Sequence, residues 1–325
     1  MSGRRVRHCV GALLVLGVVQ LAPGQGPRGG RGGPSPWDRG PGSDDGRDGF
    51  SSGDTSIIRL EGGGVVDENT VRTARETASH STGTPEWKNE GGFEKDVFTF
   101  TRIIFRSNFA MRGSGGFRGG WSGWVNDYPD SDLNLSWRLQ LLTSLKVDPD
   151  TRVVKLSAAE LFDFPFIYMV KPGRMVLRDA EIGPLRKYLL NGGALLTDDT
   201  WGESEWENIV REMQRVLPGR TWTVLPREHG VFHCVFRLDK DKLQIPPIQR
   251  WLRTGSSSRN GEETPEAFFR ALLNDQGRIM VLSAHNTDLG DGWEREGENT
   301  EYFKTFSEAR AYPLAVNIVF YLMTH

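Results

Sequence analysis

From residue 96 onward the apolar positions alternate between short strand-like runs and segments of helical period. Residues 97–105 (VFTFTRIIF) are β-branched and aromatic, the content of a strand. Leu133, Leu135, Trp137, Leu139, Leu142 and Leu145 then lie in a helix-length segment opened by Ser131 and Asp132. Further strands are predicted at 153–156, 166–170 and 194–197. A helix over 181–191 separates the last two, with Ile182, Leu185 and Leu189 in register and Gly192–Gly193 as its stop. Ser204 with Glu207 three residues on reads as a capping box for a helix carrying Ile209, Val210, Met213, Val216 and Leu217. Strands at 222–225, 231–238 and 278–283 and a helix over 306–323 complete the alternation. Residues 240–277 read as an insertion with an exposed SSSRNGEETPE stretch. Strands separated by helices predict an α/β fold, a doubly wound and mostly parallel sheet in a three-layer sandwich.

Upstream the pattern fades. Residues 25–64 are Gly, Pro, Ser, Arg and Asp, with almost no aliphatic side chain before Ile57, too little to offset the entropy of ordering the backbone. Residues 65–80 offer only Val71, Ala74 and Ala78 at helical spacing, enough for a polar helix starting near Asp67. At the start, Arg4, Arg5 and Arg7 precede an apolar stretch over 9–22, with Ala22 and Gly24 as small residues at its end, the layout of a secretory signal peptide. The expected organisation is therefore a signal peptide over 1–24, a Gly/Pro-rich disordered linker over 25–95 and one α/β domain over 96–325. Such a protein is exported, periplasmic or extracellular, or anchored if the signal is retained.

Composition narrows the partners. The chain has 325 residues, a formal net charge of −2, 37% apolar and 25% charged residues, which leaves no basic footprint for nucleic acid. No apolar run reaches the roughly 18 residues of a spanning helix. Two cysteines exclude a disulfide framework, and removal of the signal leaves Cys234 alone.

Ligands of open parallel sheets bind beyond the carboxyl ends of the strands. Arg106, Trp124, Asn126 and Asp127 follow the first predicted strand, Lys171 the third, and Asp198, Asp199, Thr200 and Trp201 the fourth. His285, Asn286, Asp288, Asp291 and Trp293 follow the last. The adjacent Asp198 and Asp199 suit Mg²⁺ or Ca²⁺, with Asp127 or Asp288 completing the shell. Alternatively one of them serves as a base raised by its neighbour, or caps the following helix. Asp198, Asp199 and His285 are the catalytic candidates. Arg106, Trp124, Asp127, Trp201, Asn286, Asp288 and Trp293 are the ligand-binding candidates, since indoles beside carboxylates and amides suit a glycan or peptide. His229 and His233 share a face on a strand, but Gly230 excludes the HExxH zinc motif. Trp124 and Trp206 stand where a Gly-x-Ser-x-Gly elbow needs its second glycine, which argues against a serine hydrolase.

The segments GGALLTDDTWGESEW (192–206), LPREHGVFHCVF (225–236), QIPP (244–247), RIMVLSAHNTDLGDGWE (278–294) and AVNIVFYLMTH (315–325) resemble the bacterial family termed domain of unknown function 4159. That family is similar in fold to class I glutamine amidotransferases, so the resemblance implies a flavodoxin-like sandwich over roughly 96–325. Its pattern is matched by Asp198, Asp199, His229, His233, Asp288, Gly290, Trp293 and Glu294. The chain departs from true amidotransferases in having Asp198, Asp199 and Thr200 near the turn where they carry a nucleophilic cysteine. Two functions remain open: a non-catalytic module binding an envelope protein or glycan, or a metal-assisted hydrolase acting through Asp198 and Asp199 with Asp127, Asp288 or His285. A structural part in an envelope assembly is a third.

Overall fold

The structure, a computed structural model, describes residues 56–60, 63–81, 83–92, 96–107, 123–238, 243–258, 264 and 266–325. The expected signal segment, the chain up to residue 55, and Asn108, Trp121 and Ser122 lie outside these residues.

A hairpin of β1 (Ile57–Arg59) and β2 (Val65–Asp67) leads into β3 (Thr101–Ile104), β4 (Arg106–Ser107) and helix α1 (Asp130–Leu142). Then follow β5 (Arg152–Lys155), β6 (Phe166–Val170), β7 (Met175–Val176), α2 (Asp179–Leu190), β8 (Ala194–Thr200), α3 (Gly202–Val216) and β9 (Thr223–Val224). The chain ends with α4 (Ile248–Thr254), β10 (Phe268–Leu273), β11 (Ile279–His285), α5 (Leu289–Glu294), α6 (Thr300–Tyr302), a π-helical stretch (Phe303–Ala311) and α7 (Tyr312–Thr324). The central sheet has seven strands in the order β5-β3-β6-β8-β11-β10-β9. Its first five run parallel, and β10 and β9 extend one edge antiparallel. In chain order those five are 2-1-3-4-5, the flavodoxin-like arrangement.

Side-chain parity divides the core. Phe166, Tyr168, Val170, Ala194 and Leu196 face the layer of α1, α5, α6 and α7; Ile167, Met169 and Leu195 face α2 and α3. The continuous apolar runs of β6 and β8 follow from burial on both faces.

Five expectations change. The described residues between 56 and 92 do not behave as a linker, because Ile58, Leu60, Val66, Val71 and Ala74 are buried in the α2–α3 layer. Asp130 ties the segment down further, accepting the Ser79 hydroxyl, the His80 amide (3.0 Å) and the Ser81 hydroxyl (3.2 Å). In place of a polar helix, Ala74–Glu76 is one 3₁₀ turn. Residues 231–238 form no strand: the amides of Val235 and Phe236 go to Asn317 Oδ1 of α7 (3.1 and 2.8 Å), which replaces a strand neighbour. Ser204 caps nothing; α3 starts earlier, its N-cap is Trp201, and Glu205 Oε2 accepts the Trp201 amide at 2.9 Å. The 240–277 insertion contains α4 and β10, so part of it belongs to the central sheet.

A Val71→Asp substitution is expected to lower stability by at least about 2 kcal/mol, because it sinks a carboxylate into the core. Ala78→Asp, on an exposed position of the same segment, is expected to stay within about 0.5 kcal/mol. Urea denaturation midpoints separate the two; equal midpoints would mean the segment contributes nothing to the fold.

Candidate functional site

The site is organised by a buried arginine. Arg102, in the middle of β3, is fully enclosed. Its Nε donates to both Asp132 oxygens (3.1 and 2.9 Å), its Nη1 to the carbonyls of Trp124 (2.8 Å) and Asn126 (2.9 Å), and its Nη2 to Ser131 Oγ (2.8 Å). Burial works against the charge, yet Asp132 raises its pKa above the ordinary value. The guanidinium also lies over the rings of Tyr128 and Tyr168, at 5.5 and 5.2 Å. Asp132, expected as part of a helix start, is thus the counter-ion that lets one strand residue grip the 123–131 loop. That grip presents Asp127, which sits at φ +59°.

Asp127 meets residues from two other strand ends. One oxygen each from Asp127, Asp199 and Asp288 lie within 4.8 Å of one another, all three residues buried. Asp127, Asp291 and Glu294 form a second such group that shares Asp127. Lys171 follows β6 in left-handed backbone (φ +53°), and its Nζ reaches Asp199 Oδ2 at 3.1 Å and Asn126 Oδ1 at 2.9 Å. Asp199 (φ +54°) also accepts Asn126 Nδ2 (3.1 Å) and the Trp201 indole (2.7 Å). Asp288 caps α5, accepting the Asp291 amide at 3.0 Å. Asp127 Oδ1 accepts Asn126 Nδ2 at 2.7 Å, whereas its Oδ2 is buried with no hydrogen-bond partner among the described residues. A Cβ on Gly290 would fall on that oxygen, so glycine is what lets α5 approach it.

Asp198 does different work from its neighbour. It shares parity with Ala194 and Leu196, turns towards α5, and accepts the amides of Leu289 (3.2 Å) and Gly290 (2.9 Å) and the Tyr168 hydroxyl (3.1 Å). The α5 N-terminus therefore rests on Asp198, while Asp199 joins the cluster.

Burial first, and then the negative charges of their neighbours, raise the pKa values of Asp127 and Asp288 well above the carboxylate range. Burial and Asp199 push Asp198 to about 7. Asp291 is raised by burial, against the pull of Arg295.

The other expected residues lie elsewhere or turn inward. His285 ends β11 with Nδ1 on Arg270 (2.7 Å) and Nε2 on the Gly202 carbonyl (3.1 Å); burial lowers its pKa to about 4, so it is a neutral ring. Trp124 and Trp293 are buried with their indole N–H groups on Glu68 Oε1 (2.5 Å) and the Ala311 carbonyl (3.1 Å), and Trp201 is spent on Asp199. Asn286 (φ +60°) accepts the Gly202 amide at 3.0 Å, and Arg106 is exposed on β4. His229 accepts the Val231 amide (3.3 Å), while His233 Nε2 contacts the Arg227 carbonyl (2.7 Å), each within its own turn.

A narrow crevice with room for about one water reaches Asp127. Arg59, His80, Val125, Asn126, Asp127, Tyr128 and Glu294 line it. His80 bridges Asp130 (3.3 Å) and Glu294 (3.1 Å). Neither Arg59 nor His80 was legible as a site residue, because both lie in a stretch whose composition suggests a linker. Arg102 was hidden inside an apolar run.

A family model described as Domain of unknown function (DUF4159) matches residues 117–323. No curated protein matches the chain. The matched region holds every carboxylate of the cluster but neither Arg102 nor the crevice residues Arg59 and His80.

Arg102→Met is expected to cost about 3–5 kcal/mol, the penalty for stranding a buried partner. Arg102→Met/Asp132→Asn is expected to recover only part of this, because the Trp124 and Asn126 carbonyls lose their donor in both. Full recovery in guanidinium denaturation would reduce Arg102 to a counter-ion. The pH dependence has a defined sign. Carboxylates with raised folded pKa values hold protons that the unfolded chain releases near pH 4, so their contribution is complete below about pH 4 and lost as pH rises through their folded values, about 7 in the case of Asp198. In EDTA, the stability difference between wild type and Asp127→Asn/Asp288→Asn is expected to move against the wild type across that window; a shift in its favour would contradict the cluster's electrostatics.

Proposed function

From a chain that belongs to the DUF4159 family, whose description assigns no activity, we propose an exported α/β binding module that holds a divalent cation on Asp127, Asp199 and Asp288. The observation that carries this reading is Asp127 Oδ2, a buried carboxylate oxygen without a hydrogen-bond partner among the described residues, on the residue that both acidic groups share. Charge balance supports it. Three carboxylates against the single ammonium of Lys171 lack two positive charges, the charge of one Mg²⁺ or Ca²⁺. The spacing supports it too, since oxygens bound at about 2.0–2.6 Å to one ion lie within roughly 5 Å of each other. The donors are all hard oxygens, which favour these ions over softer ones. Export rests on the basic and apolar residues 4–24, and an envelope glycan or protein remains the partner class.

Asp198 leaves the ligand set in this reading, being engaged with α5. A metal-assisted hydrolase remains the second reading, favoured by one observation: Asp291 and Glu294 converge with Asp127 on the other side, where a water bound to the cation would find a base. Arg295 and His80 already pair with these two acids, which argues against a second cation there.

Adding Ca²⁺ or Mg²⁺ at a hundred times its dissociation constant is expected to stabilise the fold by about 2.7 kcal/mol, a rise in melting temperature of roughly 5–10 °C at this size. The rise is expected to grow as pH increases above the ordinary carboxylate range and protons leave the carboxylates, and to shrink sharply in Asp127→Asn. If Mg²⁺, Ca²⁺ and Mn²⁺ all leave the melting curve unmoved, the cation site is wrong.

A further inference from the structure

The residues around the crevice point to what the cation is for. Three aspartate oxygens fill only half of an octahedral shell, and Ca²⁺ takes still more ligands, so the remaining positions fall to water or to a ligand. One approach among the described residues is the crevice lined in part by Asp127, the residue common to both acidic groups. Its size admits a single oxygen atom rather than a whole molecule. Beside it stands Arg59, exposed on β1, with no ion-pair partner among the described residues. Its neighbours on the strand, Ile58 and Leu60, are buried, so the backbone that carries Arg59 is anchored in the core.

We propose that this mouth receives an oxyanion, a phosphate or carboxylate group, which places one oxygen on the cation and another on Arg59. This inference rests on the cation reading above and adds the ligand class. Without the cation the acidic cluster repels any anion. With it, the charges of Asp127, Asp199, Asp288 and Lys171 cancel, and the charge at the entrance without an ion-pair partner among the described residues is the Arg59 guanidinium, whose planar fork matches either group. The proposal also assigns a role to the folded segment 56–81: Arg59 and His80 complete a site whose acids all lie within residues 117–323.

The test is isothermal titration of the full chain, first with Mg²⁺ alone, then with inorganic phosphate and with acetate, each in EDTA and in saturating Mg²⁺. Binding of at least one anion is expected only with Mg²⁺ present, and which one binds identifies the group. Arg59→Gln, with its folding checked by its melting curve, is expected to weaken that binding by at least about tenfold; Arg59→Lys is expected to restore part of it. Mg²⁺ binding with neither anion following would overturn this inference and leave the cation reading standing. Absence of binding by Mg²⁺, and by Ca²⁺ and Mn²⁺ titrated in its place, would remove both. Anion binding of equal strength in EDTA, or in Arg59→Gln, would also overturn it.

Discussion

A guanidinium placed in the middle of a parallel strand is the constraint on which the site depends. Arg102 occupies a position where β3 is otherwise apolar, and a lone charge there would be untenable. It persists because Asp132 neutralises it and because its remaining donors reach Ser131 Oγ and two main-chain carbonyls. The same bonds that satisfy the arginine fix the backbone of residues 124 and 126, and so the placement of Asp127 directly after them. A hydrophobic pair of similar volume could replace the ion pair itself without loss, but it would strand the Trp124 and Asn126 carbonyls. It would leave the 123–129 loop without a hold on the sheet.

The cluster shows how a sheet divides labour between adjacent residues. Asp198 and Asp199 look equivalent in sequence, and a two-residue chelate was a natural expectation. In the strand they point opposite ways: parity sends Asp198 under α5, whereas the left-handed backbone at Asp199 turns its carboxylate towards Lys171 and Asp127. Asp198 therefore acts on the site at one remove. It holds the helix whose cap is Asp288 and whose Gly290 gives Asp127 room.

What could be read from sequence tracks how local the cause is. The strands β5, β6 and β8 and the helices α1, α2 and α3 were legible because burial on one or both faces imposes its own periodicity. Asp127, Asp199 and Asp288 were legible as candidates because their places beyond strand ends follow from topology. Residues 56–92 were not, since their few apolar side chains gain burial only from a surface that α2, α3 and distant loops create. The 231–238 stretch alternates as a strand should, yet Asn317, over eighty residues away, takes its amides. Arg102 and Arg59 carry no local signal: one resembles any strand residue, the other any linker residue.

Four non-glycine residues at the carboxyl edge, Asp127, Lys171, Asp199 and Asn286, adopt left-handed backbone, each at a cost of order 1–3 kcal/mol. Three of them belong to the cluster or bond directly to it, and the fourth, Asn286, holds the first residue of α3. Strain and carboxylate repulsion therefore concentrate at one edge of the sheet; the opposite edge carries a single left-handed non-glycine residue among those described, Thr151 (φ +59°) before β5. A domain selected only to pack would shed both, since Asn or Gly at these positions relieves the backbone and removes charge together. Their concentration where doubly wound sheets bind ligands is the pattern expected when a site, rather than the fold, dictates the residues. The buried tryptophans fit the same division. Trp124, Trp201 and Trp293 are buried near the acids with their N–H groups on Glu68, Asp199 and the Ala311 carbonyl, and this apolar surround keeps the local dielectric low. A charge arriving from solvent is then felt strongly by every carboxylate at once.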